Sequence, residues 1–475
     1  MHSKNTKIVC TLGPASDSEK EILKLVKAGM NIARLNFSHG TYEHHKKLIK
    51  NIHKVEKITG KRIGILQDLQ GPKIRIGQTP EEGITIKKNE KFLLSISAKI
   101  GIRTKEKTII PIKYKGIIKD AKKSDTILIN DGLIETKVIK KGKDYLECKA
   151  INAGTIKTGN GVNIPTGNIS QPAITKKDKE DLKFGLKNNV DFIAISFVKS
   201  EKDIENLRKL IKKLGKDTKI IAKIERHEAV KNLKAIIKTA DGVMVARGDL
   251  GVDIPAEQVP IVQKRIIALA NKFAKPVITA TQVLYSMVEK ATATRAEISD
   301  AANAVFDHTD AIMLSNETAV GKYPFRATKT LTKVALTVEE EMQKHEELIE
   351  NLTASKKHLT PLNATCLNAC ELAVDTNADA LVVYTKDGYT AQQIAKHRPY
   401  TTIITIAKKE KTLRELTVVW GLNNLYKANI AGKGAKKIEK ILNFLRKNKL
   451  VKKEQKIVIV CNASQKEKLI STFTI

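Results

Sequence analysis

Three charged residues in the stretch 220–255, IIAKIERHEAVKNLKAIIKTADGVMVARGDLGVDIP, have types and spacing suited to chemistry: Lys223, Glu225 and Asp249. The run IIAKIE reads as a strand. Successive strand side chains alternate faces, so Lys223 and Glu225 leave the strand end together on one face. A helix is expected from Glu228 to Thr239, followed by a second apolar run, GVMVAR, ending in charge at Arg247 and Asp249. Gly248 and Gly251 flank Asp249 and leave room for backbone to approach a ligand. Glu225 and Asp249 could hold one hard divalent cation, Mg²⁺ or Mn²⁺, through oxygen. Lys223 beside them would be a point charge for a phosphate or enolate oxygen. The same residues equally suit a lysine–glutamate pair and an acidic loop that only tie strand ends together.

The surrounding elements favour chemistry. Strands are expected at 7–13, 32–38, 63–68, 192–197, 220–225, 242–247, 276–281 and 311–315, each followed by a helical segment. Eight such units make a TIM (β/α)8 barrel, whose functional groups collect at the C-terminal ends of the strands. Those ends carry Thr11, Asn36, Asp68, Ser196, Lys223 with Glu225, Asp249, Thr281 and Glu317. Between 71 and 171 the rhythm changes to short alternating runs split by Gly and Asp turns, the pattern of a small β-barrel domain inserted after strand three. GPKIR and NISQPAIT read as its hinges. Beyond a charged linker, QKHEELIENLTASKKH, strands at 380–385, 402–407 and 457–461 alternate with helices as a C-terminal α/β domain. The expected division is 1–70 and 172–345 for the barrel, 71–171 for the insertion and 346–475 for the C-terminal domain.

Bulk properties exclude other classes. No apolar run is long enough to span a membrane. The first residues, MHSKNTKIVC, read as neither a signal peptide nor an Arg-rich transit sequence. The five cysteines show no metal-ligand spacing, and a reducing, cytoplasmic setting is expected. The net charge of +34, from 85 basic and 51 acidic residues, would suit a nucleic-acid or scaffold protein. However, the lysines are scattered through every segment and aromatics are only 4%, too few for a base-stacking platform. Neither nucleic acid nor membrane is therefore expected as a partner, while anionic substrates would be attracted.

MNIARLNFSHG (30–40), KIERHEAV (223–230), VMVARGDLGVDIP (243–255), ITATQVLYSM (278–287) and MLSNETAVGKYP (313–324), in this order, closely resemble the signatures of pyruvate kinase. The resemblance implies phosphoryl transfer from phosphoenolpyruvate to ADP as the last step of glycolysis, protonation of the resulting enolate, a mobile lid and a homotetramer. It implies that Glu225 and Asp249 hold the divalent metal, that Lys223 and Arg34 neutralise the moving phosphoryl group, and that Gly248 and Asp249 contact substrate. Thr281 would lie on the face where the methylene carbon is protonated. As a weak acid, it would orient a water rather than give up its own proton. Asn36, Ser38 and Asp68 would surround a monovalent-cation region, and His39 and Arg75 would reach the nucleotide. An enolate-forming lyase or aldolase of the phosphoenolpyruvate/pyruvate barrel type is the alternative, but it would need neither insertion nor tail domain.

Several positions depart from the family pattern. Asn130 stands for the first of two aspartates, Asn160 for a nucleotide-contacting lysine, and Asn316 for a glycine, where a left-handed backbone is expected. The strand-three exit reads Asp68-Leu-Gln-Gly-Pro-Lys73-Ile-Arg75-Ile, resembling the K⁺-independent branch. There Lys73 would place an ammonium where other members bind K⁺, so K⁺ is not expected to be required. In the tail, TKDGYT (385–390) has Asp387 in its phosphate-facing run and CNASQKEK (461–468) lacks glycine, so no sugar-bisphosphate effector is expected.

Overall fold

The inner face of the barrel explains how one chain builds both a core and a site. Five strands place an apolar residue at their foot and a polar one two positions later, on the same face: Val9 and Thr11, Ile32 and Arg34, Leu66 and Asp68, Ala194 and Ser196, Ile221 and Lys223. The lower members join a core that runs on into the C-terminal domain through Ile403, Leu416 and Val418. The alternate residues, such as Ile8, Cys10, Ala33, Leu35 and Ile65, face outward and pack under the surrounding helices. A period of two thus seals the barrel below and opens it to chemistry above.

In the computed structural model, which describes residues 4–165, 167, 169–344, 360–462 and 468–475, the eight strands close into one parallel barrel. They are Lys7–Thr11, Ile32–Asn36, Gly64–Asp68, Phe192–Ile195, Lys219–Ile224, Gly242–Ala246, Val277–Ala280 and Ala311–Leu314. Their register sets Thr11 beside Arg34, and Asp68 between Asn36 and Ala194. Helices turn the chain back by ordinary end signals: Ser18 caps Glu19–Ala28 and Thr41 caps Tyr42–Thr59, with Gly29 and Gly60 closing them at φ 120° and 66°.

The insertion follows strand three. It has a seven-stranded sheet and a separate two-stranded ribbon, Ile84–Ile86 with Gly154–Ile156, around their own core of Phe92, Ile110, Ile127 and Leu146. At its entry Gly71 turns at φ 67° and its amide is held by Asp178 Oδ1 at 3.1 Å, fixing that hinge to the barrel. The C-terminal domain carries a five-stranded sheet. Two of its strands, Asn424–Lys427 and the antiparallel Lys468–Thr474, are not read from the sequence, being short or split by polar residues. Most of the linker, including 345–359, lies outside the described residues.

Three local expectations are corrected. The helix expected from Glu228 to Thr239 is two, His227–Lys231 and Leu233–Thr239, broken at Asn232, whose side chain bonds the Lys199 carbonyl instead. Asp249 lies not in a loop, as the acidic-loop alternative has it, but in a short helix, Arg247–Asp253. Asn316 begins the helix Asn316–Ala319 and is not among the positive-φ residues, so it needs no left-handed tolerance.

Candidate active site

Arg34 and Asp68 come from neighbouring strand ends. The Arg34 Nε and Nη2 donate to Asp68 Oδ2 at 2.8 and 2.6 Å, and Nη1 donates to Thr11 Oγ1 at 2.9 Å. The guanidinium is thereby fixed at the cleft floor with its fork preorganised. Lys223 joins the group from strand five. Its Nζ stands 3.2 Å from Asp68 Oδ1 and 2.9 Å from Glu225 Oε1, and donates to Ser196 Oγ at 2.8 Å. Lys223 and Glu225 do share a face, as their spacing predicts.

These groups are almost dry, Asp68 and Glu225 each being 1% exposed. Burial alone would drive a proton off Lys223, but Asp68 and Glu225 outweigh it and hold the ammonium above the usual lysine range. For Asp68, burial favours the neutral acid, yet Lys223 and Arg34 prevail and keep it ionised below the ordinary range. Glu225 goes the other way: burial, with the Asp249 charge added, raises its pKa. The backbone N–H of Phe197 meets Glu225 Oε2 at 2.7 Å, whereas buried Oε1 has no well-angled hydrogen bond among the described residues. A buried carboxylate oxygen whose close partner is the Lys223 ammonium at 2.9 Å, with the second carboxylate of Asp249 lining the same cleft, fits a hard divalent cation.

A cleft of about 180 Å³ is lined by Arg34, Asn36, Ser38, His39, Asp68, Lys73, Arg75, Lys223, Glu225 and Asp249 among others. Ten of the site residues singled out from the sequence thus meet around one space. Thr281 and Gly248 do not line it and sit together just beside it, with the Gly248 N–H donating to Thr281 Oγ1 at 2.8 Å. Lys73 reaches into the cleft, but its close partners are Asp249 Oδ1 at 3.2 Å and Asp131 Oδ1 at 3.6 Å rather than Asn36, Ser38 or Asp68. Burial disfavours its charge, but Asp249 and Asp131 more than restore it, so its pKa lies above the usual value. Arg75, at the entry of the insertion, is tied to the insertion's far end through the Gly159 carbonyl at 2.9 Å. The two asparagines that depart from the family pattern meet each other, Asn160 Nδ2 donating to Asn130 Oδ1 at 3.0 Å.

Not every strand end serves the cleft. Glu317 accepts the amides of Leu284 and Ser315 at 3.1 and 2.7 Å, a buried structural bridge. Conversely, the Phe197 amide is invisible in the sequence, because its left-handed turn at φ 56° leaves no residue-type signal. A second group of ligand-type residues, His227, Glu228 and Asp253, is already self-paired. His227 Nδ1 bonds Asp253 Oδ2 at 2.8 Å and Arg226 Nε donates to Glu228 Oε2 at 2.8 Å. A larger cavity, about 270 Å³ between the barrel foot and the C-terminal domain, is lined by His308, Glu339, Arg398 and Trp420 and lies away from the charged strand ends.

The chain matches the family description "Pyruvate kinase, barrel domain" over residues 3–328 and "Pyruvate kinase, alpha/beta domain" over 363–472. Pyruvate kinases of Staphylococcus epidermidis and Staphylococcus aureus are 43% identical to it over 442 residues, spanning 93% of this chain and 74% of theirs. The crystal structure of a pyruvate kinase from Cryptosporidium parvum superposes with a TM-score of 0.91 at 34% identity, covering 99% of this chain and 96% of that one. With both of its major domains matched, the chain belongs to the pyruvate kinase family and transfers the phosphoryl group of phosphoenolpyruvate to ADP, giving pyruvate and ATP.

Proposed function

We propose that the cleft at the strand ends is where this transfer occurs, with its residues in distinct roles. The observation that carries the reading is Lys223, buried between Asp68, Glu225 and Ser196 at the mouth of the barrel. Phosphoryl transfer asks the protein for position and charge neutralisation more than covalent help. Arg34 and Lys223 place two fixed cations where negative charge passes from the phosphoryl oxygens to the enolate oxygen. Family membership implies a divalent metal, and Glu225 with Asp249 would hold it, as Mg²⁺ or Mn²⁺. When bound, that ion neutralises phosphoryl and enolate oxygens. Gly248 and Asp249 would face substrate, Thr281 would orient the water that protonates the methylene carbon, and His39 and Arg75 would meet the nucleotide. The insertion, residues 71–171, would act as the lid over barrel segments 1–70 and 172–345, with 346–475 as the tail domain. A homotetramer in the cytoplasm is the expected setting; no described helix is long and apolar enough to cross a membrane.

Lys73 would replace the monovalent cation of this reaction. Its ammonium is tethered in the cleft, so no free ion need be ordered. A K⁺ ion about 4 Å away would meet a gross repulsion of ~4 kcal/mol at an effective dielectric of ~20. Initial rate is measured against KCl, with tetramethylammonium chloride holding ionic strength constant. A flat response is expected, and Lys73→Glu should create a K⁺ requirement. Strong K⁺ activation of the parent enzyme would defeat the reading.

A further inference from the structure

Strand seven ends under strain. Thr281 has φ 69° and Gln282 has φ 53°, both in the left-handed region. For a β-branched residue this is a true outlier, and it persists only where the surroundings over-determine it. The side chain that grips this turn's carbonyls is Arg247. Its Nη2 donates to the Thr281 carbonyl at 2.8 Å, and its Nε lies 3.3 Å from both the Ala280 and the Thr281 carbonyls. The same guanidinium is held from behind by Asp300 Oδ1 at 2.7 Å and Gln263 Oε1 at 3.4 Å. Thr281 returns the contact: its Oγ1 accepts the amide of Gly248, the residue after Arg247, at 2.8 Å, and donates to the Ala280 carbonyl at 2.6 Å. The short helix bearing Asp249 and the strand end bearing Thr281 are therefore locked in both directions.

We propose that Arg247 is a positioning residue for the protonation half of the reaction: its fork, braced by Asp300, grips the Ala280 and Thr281 carbonyls and holds Thr281 in the strained turn that sets its hydroxyl against Gly248. This rests on the reading of Thr281 as the hydroxyl facing the methylene carbon. Arg247 is not among the residues lining the cleft, and its Nε, its Nη1 and one side of its Nη2 are engaged by two backbone carbonyls, Asp300 and Gln263, so substrate charge is left to Arg34 and Lys223. A planar fork is required; a lysine ammonium on a flexible stem cannot reach both carbonyls and Asp300 in one plane. Without the clamp, Thr281 relaxes to an ordinary backbone conformation and its hydroxyl leaves the site, while the groups that carry phosphoryl transfer, Arg34 and Lys223, keep their own partners.

The test separates the two halves. In D2O, NMR follows pyruvate C3 protons, each lost to solvent and replaced by a deuteron without ADP turnover, alongside kcat and KM for phosphoenolpyruvate and Mn²⁺ binding by electron paramagnetic resonance. For Arg247→Ala, C3 exchange is expected to fall about tenfold to a hundredfold, the factor that corresponds to releasing one strained residue. Mn²⁺ binding and KM should stay near parental, and millimolar guanidinium should restore exchange saturably. Should the alanine variant not fold, Arg247→Lys, checked by circular dichroism, takes its place with the same fall expected. Unchanged exchange, no guanidinium rescue, or a loss that tracks Mn²⁺ binding would overturn the proposal. A parent enzyme that forms no pyruvate would instead reject the activity on which it rests.

Discussion

Replacing Lys223 by Met should separate what this residue does for the fold from what it does for the rate. Its ammonium lies 3.2 Å from Asp68 and 2.9 Å from Glu225. Each contact is a gross attraction of ~5 kcal/mol at an effective dielectric of ~20, and breaking a buried pair typically costs about 3–5 kcal/mol net. The two carboxylates do not suffer equally. Asp68 keeps Arg34 at 2.6 Å. Glu225 keeps only the Phe197 amide, and its pKa is already raised by burial, so it can take up a proton. The expected stability loss is thus toward the low end, about 3 kcal/mol, and it grows as pH rises and Glu225 ionises. A divalent ion should offset more of it in the variant than in the parent, because the competing ammonium is gone. The rate behaves oppositely: no other group at that strand end can take the charge, and loss of one such electrostatic group costs on the order of a hundredfold or more. Thermal melts with and without Mn²⁺, beside steady-state pyruvate formation, read both effects. A folded variant turning over near the parental rate would refute the assignment of Lys223.

Glu225→Gln should raise the Mg²⁺ concentration giving half-maximal rate while leaving the fold intact; an unchanged metal titration would count against its role as a ligand. Fructose 1,6-bisphosphate should not lower the half-saturating phosphoenolpyruvate concentration. In the TKDGYT turn, Asp387 Oδ1 already accepts the Tyr389 amide at 3.2 Å and Thr385 Oγ1 the Gly388 amide at 3.0 Å, leaving an anionic, self-satisfied loop; the second loop falls mostly outside the described residues. A fall in that concentration on adding the bisphosphate would contradict this. His308 and His397 are both pushed down to about 4, mainly by burial, with Arg398 and Lys396 adding to it. Unfolded histidine titrates near 6.5, so the unfolded chain takes up protons first and stability is lost as pH falls from about 6.5 to 4, by a few kcal/mol in all. Trp420, the only tryptophan, stacks 5.0 Å from the Arg398 guanidinium near both histidines and reports the transition. Urea midpoints from its fluorescence should drop across that window and flatten in His308→Asn with His397→Gln; a parental slope in the double variant would exclude them.

How much of this was legible in the sequence follows from which interactions are local. The alternation of Val9 with Thr11, or Ile221 with Lys223, is a property of adjacent residues, so barrel, strand ends and the shared face of Lys223 and Glu225 could be read directly. The conformation of Thr281 could not, because it is imposed by Arg247, 34 residues earlier in the chain. The Phe197 amide on Glu225 likewise depends on a turn with no residue signature. Lys73 was legible as a cation entering the cleft, but its partners Asp249, from the barrel, and Asp131, from a distant turn of the insertion itself, depend on how the insertion folds and sits. Asn130 and Asn160, read separately as departures, turn out to be one contact. The break at Asn232 had a weak local signal, since asparagine competes for backbone bonds, while the tail strand Lys468–Thr474 had almost none.

The most direct test of the account counts both products of a single reaction. The purified enzyme is given phosphoenolpyruvate, ADP and Mg²⁺ in tetramethylammonium buffer, and ATP and pyruvate are quantified together over time. Equal amounts of the two, abolished by chelating the metal, are the predicted result. Pyruvate without ATP, as an enolate-forming lyase would give, or neither product, would contradict it.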